Sequence, residues 1–193
     1  TDTDRMLIWN GTTWVVPNST TANPSGMELI ASASFSSVTN VVIGSFDSTY
    51  AFYEIAIRVD STSADEDLHM LFRNSSGDIT TGTNYYGAFR GLSDGGGAAD
   101  DYTLAQNYVR IGHLDAGNTS GLFSATIRIY DPFTSNRKTQ FTQNCWTYQT
   151  NGTGTARTGA GSYNGNDSVV SVKIKSSSTA TIGGFYRLYG LRQ

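Results

Sequence analysis

Acid–base chemistry near neutral pH needs a titratable group beside a nucleophile or a second acid, and this 193-residue chain offers few. Its two histidines, His69 and His113, fall inside runs that read as strands, and no Gly-x-Ser-x-Gly elbow accompanies them. His69 and Met70 occupy opposite faces of their strand, so the histidine is expected to be solvated or hydrogen-bonded locally. Two acidic groups could supply the paired carboxylates of a glycosidase: Asp65-Glu66-Asp67, and Asp94 with Asp100-Asp101. The first is a consecutive charged run before a strand, the pattern of a solvated turn. The second sits in the glycine-rich stretch from Ser93 to Asp101 and could gather oxygens around a calcium ion, yet it lacks the spaced Asp, Asn and Glu order of a calcium loop. Gly95-Gly96-Gly97 has no following Lys-Ser/Thr and so no phosphate-cradling signature. Cys145 is the single cysteine, which excludes an intrachain disulfide and a cysteine-based zinc cluster; it reads as a small buried residue. The expectation is a chain that is not an enzyme, with no catalytic residue, no metal and no cofactor.

Binding is better served than catalysis. Tyr85, Tyr86 and Phe89 precede the glycine-rich loop and Tyr102 follows it, so aromatic faces could stand beside Asp94, Asp100 and Asp101. Flat rings next to hydrogen-bonding carboxylates suit a sugar, whose apolar face packs on the ring while its hydroxyls seek polar partners. The plainer reading, that the same aromatics fill the core or a subunit contact, carries more weight than the sugar site.

The elements that must position these groups follow from a period of two. Ala51, Tyr53, Ile55, Ile57 and Val59 face one way while Glu54 and Arg58 face the other. The same alternation sets Phe123, Ala125, Ile127 and Ile129 against Ser124, Thr126 and Arg128, and Val170, Val172 and Ile174 against Ser171, Lys173 and Lys175. Weaker runs lie at Leu29 to Phe35, Val38 to Phe46, Leu68 to Phe72, Tyr102 to Leu114, Thr139 to Tyr148 and Phe185 to Leu191, giving about nine strands. Ser75 to Asp78, Ser93 to Gly97, Asp115 to Asn118, Asn151 to Gly154 and Gly159 to Gly165 read as turns, because Gly, Asn and Asp accept positive φ. Ahead of these, Arg5 to Trp9 and Thr12 to Val16 flank Asn10-Gly11, the dipeptide suited to a two-residue type I′ turn. The expected organisation is a hairpin over 1–17, a linker over 18–26 and a head domain over 27–193. The fold class is an all-β, antiparallel, jelly-roll-like β-sandwich.

A hairpin this short is marginal alone, so Leu7, Trp9, Trp14 and Val15 are expected to be buried against another subunit, docking onto their own sandwich being the alternative. The formal net charge is -3 and the basic residues are scattered, which argues against nucleic acid as a partner. No apolar run approaches the length needed to cross a bilayer as a helix, so no membrane insertion is expected. The chain opens at Thr1 inside strand-like sequence and reads as part of something longer.

The stretch Phe46-Asp47-Ser48-Thr49-Tyr50-Ala51-Phe52-Tyr53-Glu54-Ile55 resembles the opening of a C-terminal β-sandwich domain found in tailed-bacteriophage fibre and virion structural proteins. Leu68 to Asp78 with Asn84-Tyr85-Tyr86, Ile127 to Phe133, and Gly184 to Leu191 fit the same domain, while Thr3 to Val15 resembles the short element that precedes such heads. The resemblance implies a homo-oligomeric, often trimeric, virion protein: the head of a tail fibre or spike that meets a host-surface glycan or other virion proteins. A capsid-decoration or head-fibre protein is the alternative within that setting, and a glycan-cleaving depolymerase is the alternative outside it. The family carries no defined catalytic residues, and Gly87 to Tyr102 departs from its pattern.

Overall fold

The computed structural model describes residues 8–9, 14–15, 26–80, 82, 84–98, 100–116, 122–148 and 153–192, with the backbone alone at 8–9, 14–15 and 101. In chain order the strands are β1 (Ile8–Trp9), β2 (Trp14–Val15), β3 (Met27–Val38), β4 (Asn40–Gly44), β5 (Tyr50–Thr62), β6 (Glu66–Asn74), β7 (Gly77–Asp78) and β8 (Tyr85–Ser93). There follow β9 (Asp101–Gln106), β10 (Val109–Leu114), β11 (Phe123–Tyr130), β12 (Thr139–Tyr148), β13 (Gly154–Tyr163), β14 (Ser171–Ser176) and β15 (Ile182–Arg192). One sheet has eight strands in the order β3-β15-β5-β11-β12-β13-β8-β9; the other has five, β10-β6-β14-β4 with β7 beside β6. The chain is therefore an all-β antiparallel β-sandwich.

The alternation seen in the sequence builds the space between the sheets. Tyr53, Ile55, Ile57 and Val59 of β5 and Phe123, Ala125, Ile127 and Ile129 of β11 point inward and meet Leu68, Met70, Phe72, Val172 and Ile174 from the facing sheet. An aromatic cluster joins the layers: Phe72 lies 5.8 Å from Tyr85 and 6.1 Å from both Phe141 and Tyr163, measured between ring centroids. Phe46 and Tyr50 both pack against the Tyr53 ring, and the Tyr53 hydroxyl accepts the Asp47 N–H at 2.6 Å. The spaced aromatics of the Phe46 to Ile55 stretch thus lock the corner that leads into β5, and burial pushes the Tyr53 hydroxyl pKa up to about 12.

A second lock spans the layers. The pairing of β10 with β6 slips between Arg110 and Gly112, which takes the Ile111 carbonyl out of the ladder. Buried Gln143 of β12 donates its Nε2 hydrogen to that carbonyl at 2.6 Å, and the Cys145 thiol donates to it more weakly at 3.7 Å, so the buried acceptor is satisfied from the facing sheet.

Several expectations are corrected. The register pairs Trp9 with Trp14 and Ile8 with Val15, so residues 10–13 separate the paired positions where Asn10-Gly11 alone was expected. The run Tyr102 to Leu114 is two strands in different sheets, with Ala105 at φ 51 near the corner. Gly159 to Tyr163, expected as a turn, belongs to β13, and Tyr85 to Ser93 forms β8 beside it. His69 is not solvated: it is 8% exposed and stacks on Tyr108 with centroids 3.8 Å apart. The Ser93 to Gly97 turn forms as expected, closed by hydrogen bonds from Ser93 N to Gly97 O and from Gly96 N to Ser93 O. Residues 18–25 of the expected linker lie outside the described residues, as does Leu7; the side chains of Trp9, Trp14 and Val15 do too.

Candidate functional site

Alternation within β8 divides the aromatic residues singled out in the sequence. Tyr85 and Phe89 point into the core, 1% and 5% exposed, so their assignment as ligand contacts is corrected. Tyr85 is a structural hydrogen-bonding residue: its hydroxyl accepts the Phe72 N–H at 2.9 Å and donates to the Ile79 carbonyl at 3.0 Å. Tyr85→Phe is expected to cost about 2 kcal/mol by stranding both buried groups, measured as a lowered urea midpoint; an unchanged midpoint would contradict that role.

Tyr86 and Tyr102 lie on the other side of the sheet, Tyr86 half-buried and Tyr102 72% exposed at the β9 edge. Asp94 and Asp100 serve the local backbone. Asp94 Oδ2 accepts the Gly154 N–H at 2.7 Å, and Asp100 Oδ1 accepts the Gly91 N–H at 3.4 Å. The Asp101 side chain is outside the described residues. The expected constellation is therefore not brought together. Among the described residues no group of three or more His, Cys, Asp and Glu is placed to hold a metal ion.

The structure assembles a different surface, the outer face of the eight-stranded sheet. Direct cross-strand pairing places Ser34, Phe185, Arg58, Ser124, Trp146, Ala156 and Leu92 in one row across seven strands. The next row contains Ser32, Arg187, Ala56, Thr126, Asn144, Thr158 and Arg90. Small residues between the larger ones leave three contiguous depressions of about 510, 430 and 640 Å³. Phe185 separates the first from the second, and Asn144 lies between the second and third.

Trp146 and Phe185 remain 41% and 37% exposed, large aromatic surface left open on a sheet with a full core beneath it. The Trp146 indole lies over Gly154, where a Cβ would overlap its six-membered ring. Gly154 is in turn clamped by Asp94 through both backbone groups, since the Asp94 N–H also donates to the Gly154 carbonyl at 2.9 Å. Asp94 is thus a positioning residue for the seat of Trp146. Beside the indole, Asn144 Oδ1 accepts the Thr158 hydroxyl at 2.6 Å, and among the described residues no partner takes the Asn144 Nδ2 hydrogens. A ring held flat with a fixed polar edge suits a ligand having one apolar and one hydroxylated face.

These residues escaped the sequence reading because each row takes one residue from each of seven strands. The available signal was the outward set of β12, Gln140, Thr142, Asn144, Trp146 and Tyr148, which ends in two aromatics opposite the buried Phe141, Gln143 and Cys145. Burial raises the Cys145 thiol pKa, in keeping with an inert core residue.

The chain matches no known protein family and no curated protein. Among solved structures it is similar to the galectin LEC-6 of Caenorhabditis elegans, at 12% identity over 83% of this chain and 94% of that one, with a TM-score of 0.36. It is also similar to a fructofuranosidase from Schwanniomyces occidentalis complexed with fructosylnystose, at 7% identity over 88% of this chain and 35% of that one, with a TM-score of 0.25. At such scores neither likeness bears on what this chain binds.

Proposed function

We propose that the chain is a non-catalytic adhesion module of a bacteriophage virion, the head of a fibre or spike, that holds a host-surface glycan across the outer face of its eight-stranded sheet. The observation that carries the binding role is Trp146, seated on Gly154 beside the Asn144 to Thr158 pair in the middle of a groove spanning seven strands. The sequence resemblance from Phe46 to Ile55 and from Gly184 to Leu191 supports the virion setting and a homotrimeric assembly. Engagement of the titratable groups in structure supports a binding role over catalysis. His69 is stacked and covered, His113 Nδ1 lies 3.1 Å from Asp67, and Asp94 and Asp100 accept backbone hydrogens.

Trp146→Ala is expected to weaken binding to host-cell polysaccharide at least about fivefold, since stacking on an aromatic face contributes on the order of 1 kcal/mol or more. Biolayer interferometry with the purified chain reads this directly, with circular dichroism confirming the fold. Gly154→Ala should reproduce part of the loss by displacing the indole. Unchanged affinity in both variants would place the glycan elsewhere. Release of new reducing ends from the bound polysaccharide would overturn the non-catalytic reading. Gold-labelled antibody should decorate fibre tips on intact particles; label over the capsid would favour the decoration alternative, and no label would remove the virion assignment.

A further inference from the structure

Resting on the glycan reading above, we infer that the ligand is an acidic polysaccharide whose anionic groups are held at two points on the groove, one between Arg58 and Arg187 and the other at Arg90. The charge distribution carries this. The chain has a net charge of -3, yet the charged residues in the two groove rows are Arg58, Arg187 and Arg90, and no carboxylate stands in either row.

Arginines on this face differ in how they are satisfied. Arg128 is neutralised by Glu54, Nε to Oε2 at 2.6 Å, in the row beyond the groove. Arg187 has no ion-pair partner among the described residues, and it edges the depression that holds Ser32 and Ser34. Arg187 pairs directly with Ala56, and Arg58 with Phe185, so the two guanidinium-bearing residues are diagonal neighbours on one face. Such diagonal positions lie about 7–8 Å apart, where like charges repel unless an anion sits between them. Asp60 pairs with Arg58 on the side away from Arg187's row, so Arg187 is the cation of the two left to take an incoming anion. A carboxylate or phosphate held there would receive charge-assisted hydrogen bonds from planar donors that fit its geometry, with serine hydroxyls alongside.

Arg90 stands at the far end of the groove. Its nearest acid is Asp100 at 3.9 Å, and both side chains are largely exposed, a pairing weak enough to yield to a ligand. Four strand spacings separate Arg58 from Arg90, about 19 Å at the usual distance between strands. Trp146 lies between them. The arrangement therefore favours a chain several sugars long, with acidic units near both ends and an uncharged unit stacked at the middle. Nucleic acid fits less well, since the groove offers few cations and phosphates recur at every nucleotide.

The test titrates the full chain with oligogalacturonates of increasing length, a phosphate-bearing teichoic acid, neutral dextran and a single-stranded oligonucleotide. Acidic glycans are expected to bind more tightly than dextran, with affinity falling as salt rises and rising once the oligomer spans both arginine sites. Arg187→Gln should weaken acidic binding by about tenfold and dextran binding by much less, while Arg187→Lys retains part of the gain. The oligogalacturonate and teichoic acid arms separate a carboxylate from a phosphate source. Equal binding of dextran and acidic glycans with no effect of Arg187→Gln would overturn the inference and leave the glycan reading standing. No binding of any glycan would remove the reading beneath it, and tighter binding of the oligonucleotide would overturn the choice of ligand.

Discussion

Gly161→Val is expected to cost the fold about 4 kcal/mol, a large share of the roughly 5–15 kcal/mol that holds an ordinary domain, and so to lower the urea midpoint sharply. Gly161 lies on the inner side of β13, directly opposite Phe141 on β12 and Gly87 on β8. A Cβ there would overlap both the Phe141 ring and the Tyr86 carbonyl. Phe141 is 6.1 Å from Phe72 and 6.3 Å from Phe89, so displacing it disturbs the aromatic cluster that joins the two sheets. Ala160→Val, one residue earlier and facing solvent, adds a β-branched side chain to a strand and should change stability by less than about 0.5 kcal/mol. Urea unfolding of the two variants gives the contrast. Similar midpoints would mean that the glycines of β13 are not required by the packing above them.

The same strand shows where local sequence stops being informative. β5 and β11 were legible because their own residues state both faces: Tyr53, Ile55, Ile57 and Val59 inside, Glu54 and Arg58 outside. β13 reads GTARTGAGSY and carries almost no apolar side chains of its own. Its inner surface is supplied by Phe89 and Phe141 lying over Gly159 and Gly161, so the reason for its glycines resides in neighbouring strands far along the chain. Tyr102 to Leu114 likewise looked continuous because both halves are β-rich, while the change of sheet depends on the corner at residues 107–108. The binding surface was misplaced for a related reason. Tyr85, Phe89 and Asp94 are close in sequence to a glycine-rich loop, but strand alternation sends the first two into the core, and Asp94 acts on Gly154. Trp146, Phe185 and Arg187 come together only through the strand order, which no spacing along the chain specifies.

His69 predicts a pH dependence that separates core burial from surface charge. Burial lowers the imidazole pKa from 6.5 to about 4, against the opposing pull of Asp67 and Glu66 and with the help of Lys175 and Arg110. Arg110 and Lys175 are its direct cross-strand neighbours, and Tyr108 stacks on the ring. Between pH 6.5 and 4 the unfolded chain takes up a proton at this site while the folded chain does not. The stabilisation is therefore fully present above about pH 6.5 and is lost progressively as pH falls toward 4, up to about 3 kcal/mol at 1.36 kcal/mol per pKa unit. Glu66 and Asp78 act in a lower window: their folded pKa values are depressed, so their contributions persist above the ordinary carboxylate range and disappear below it. His69→Phe keeps a ring against Tyr108 and removes the titration. The difference in unfolding free energy between the native chain and His69→Phe should change by about 2 to 3 kcal/mol between pH 7 and 4, and level off below. A constant difference across that range would show that the imidazole titrates alike in the folded and unfolded chains, and so that Tyr108 and the sheet do not exclude water from it.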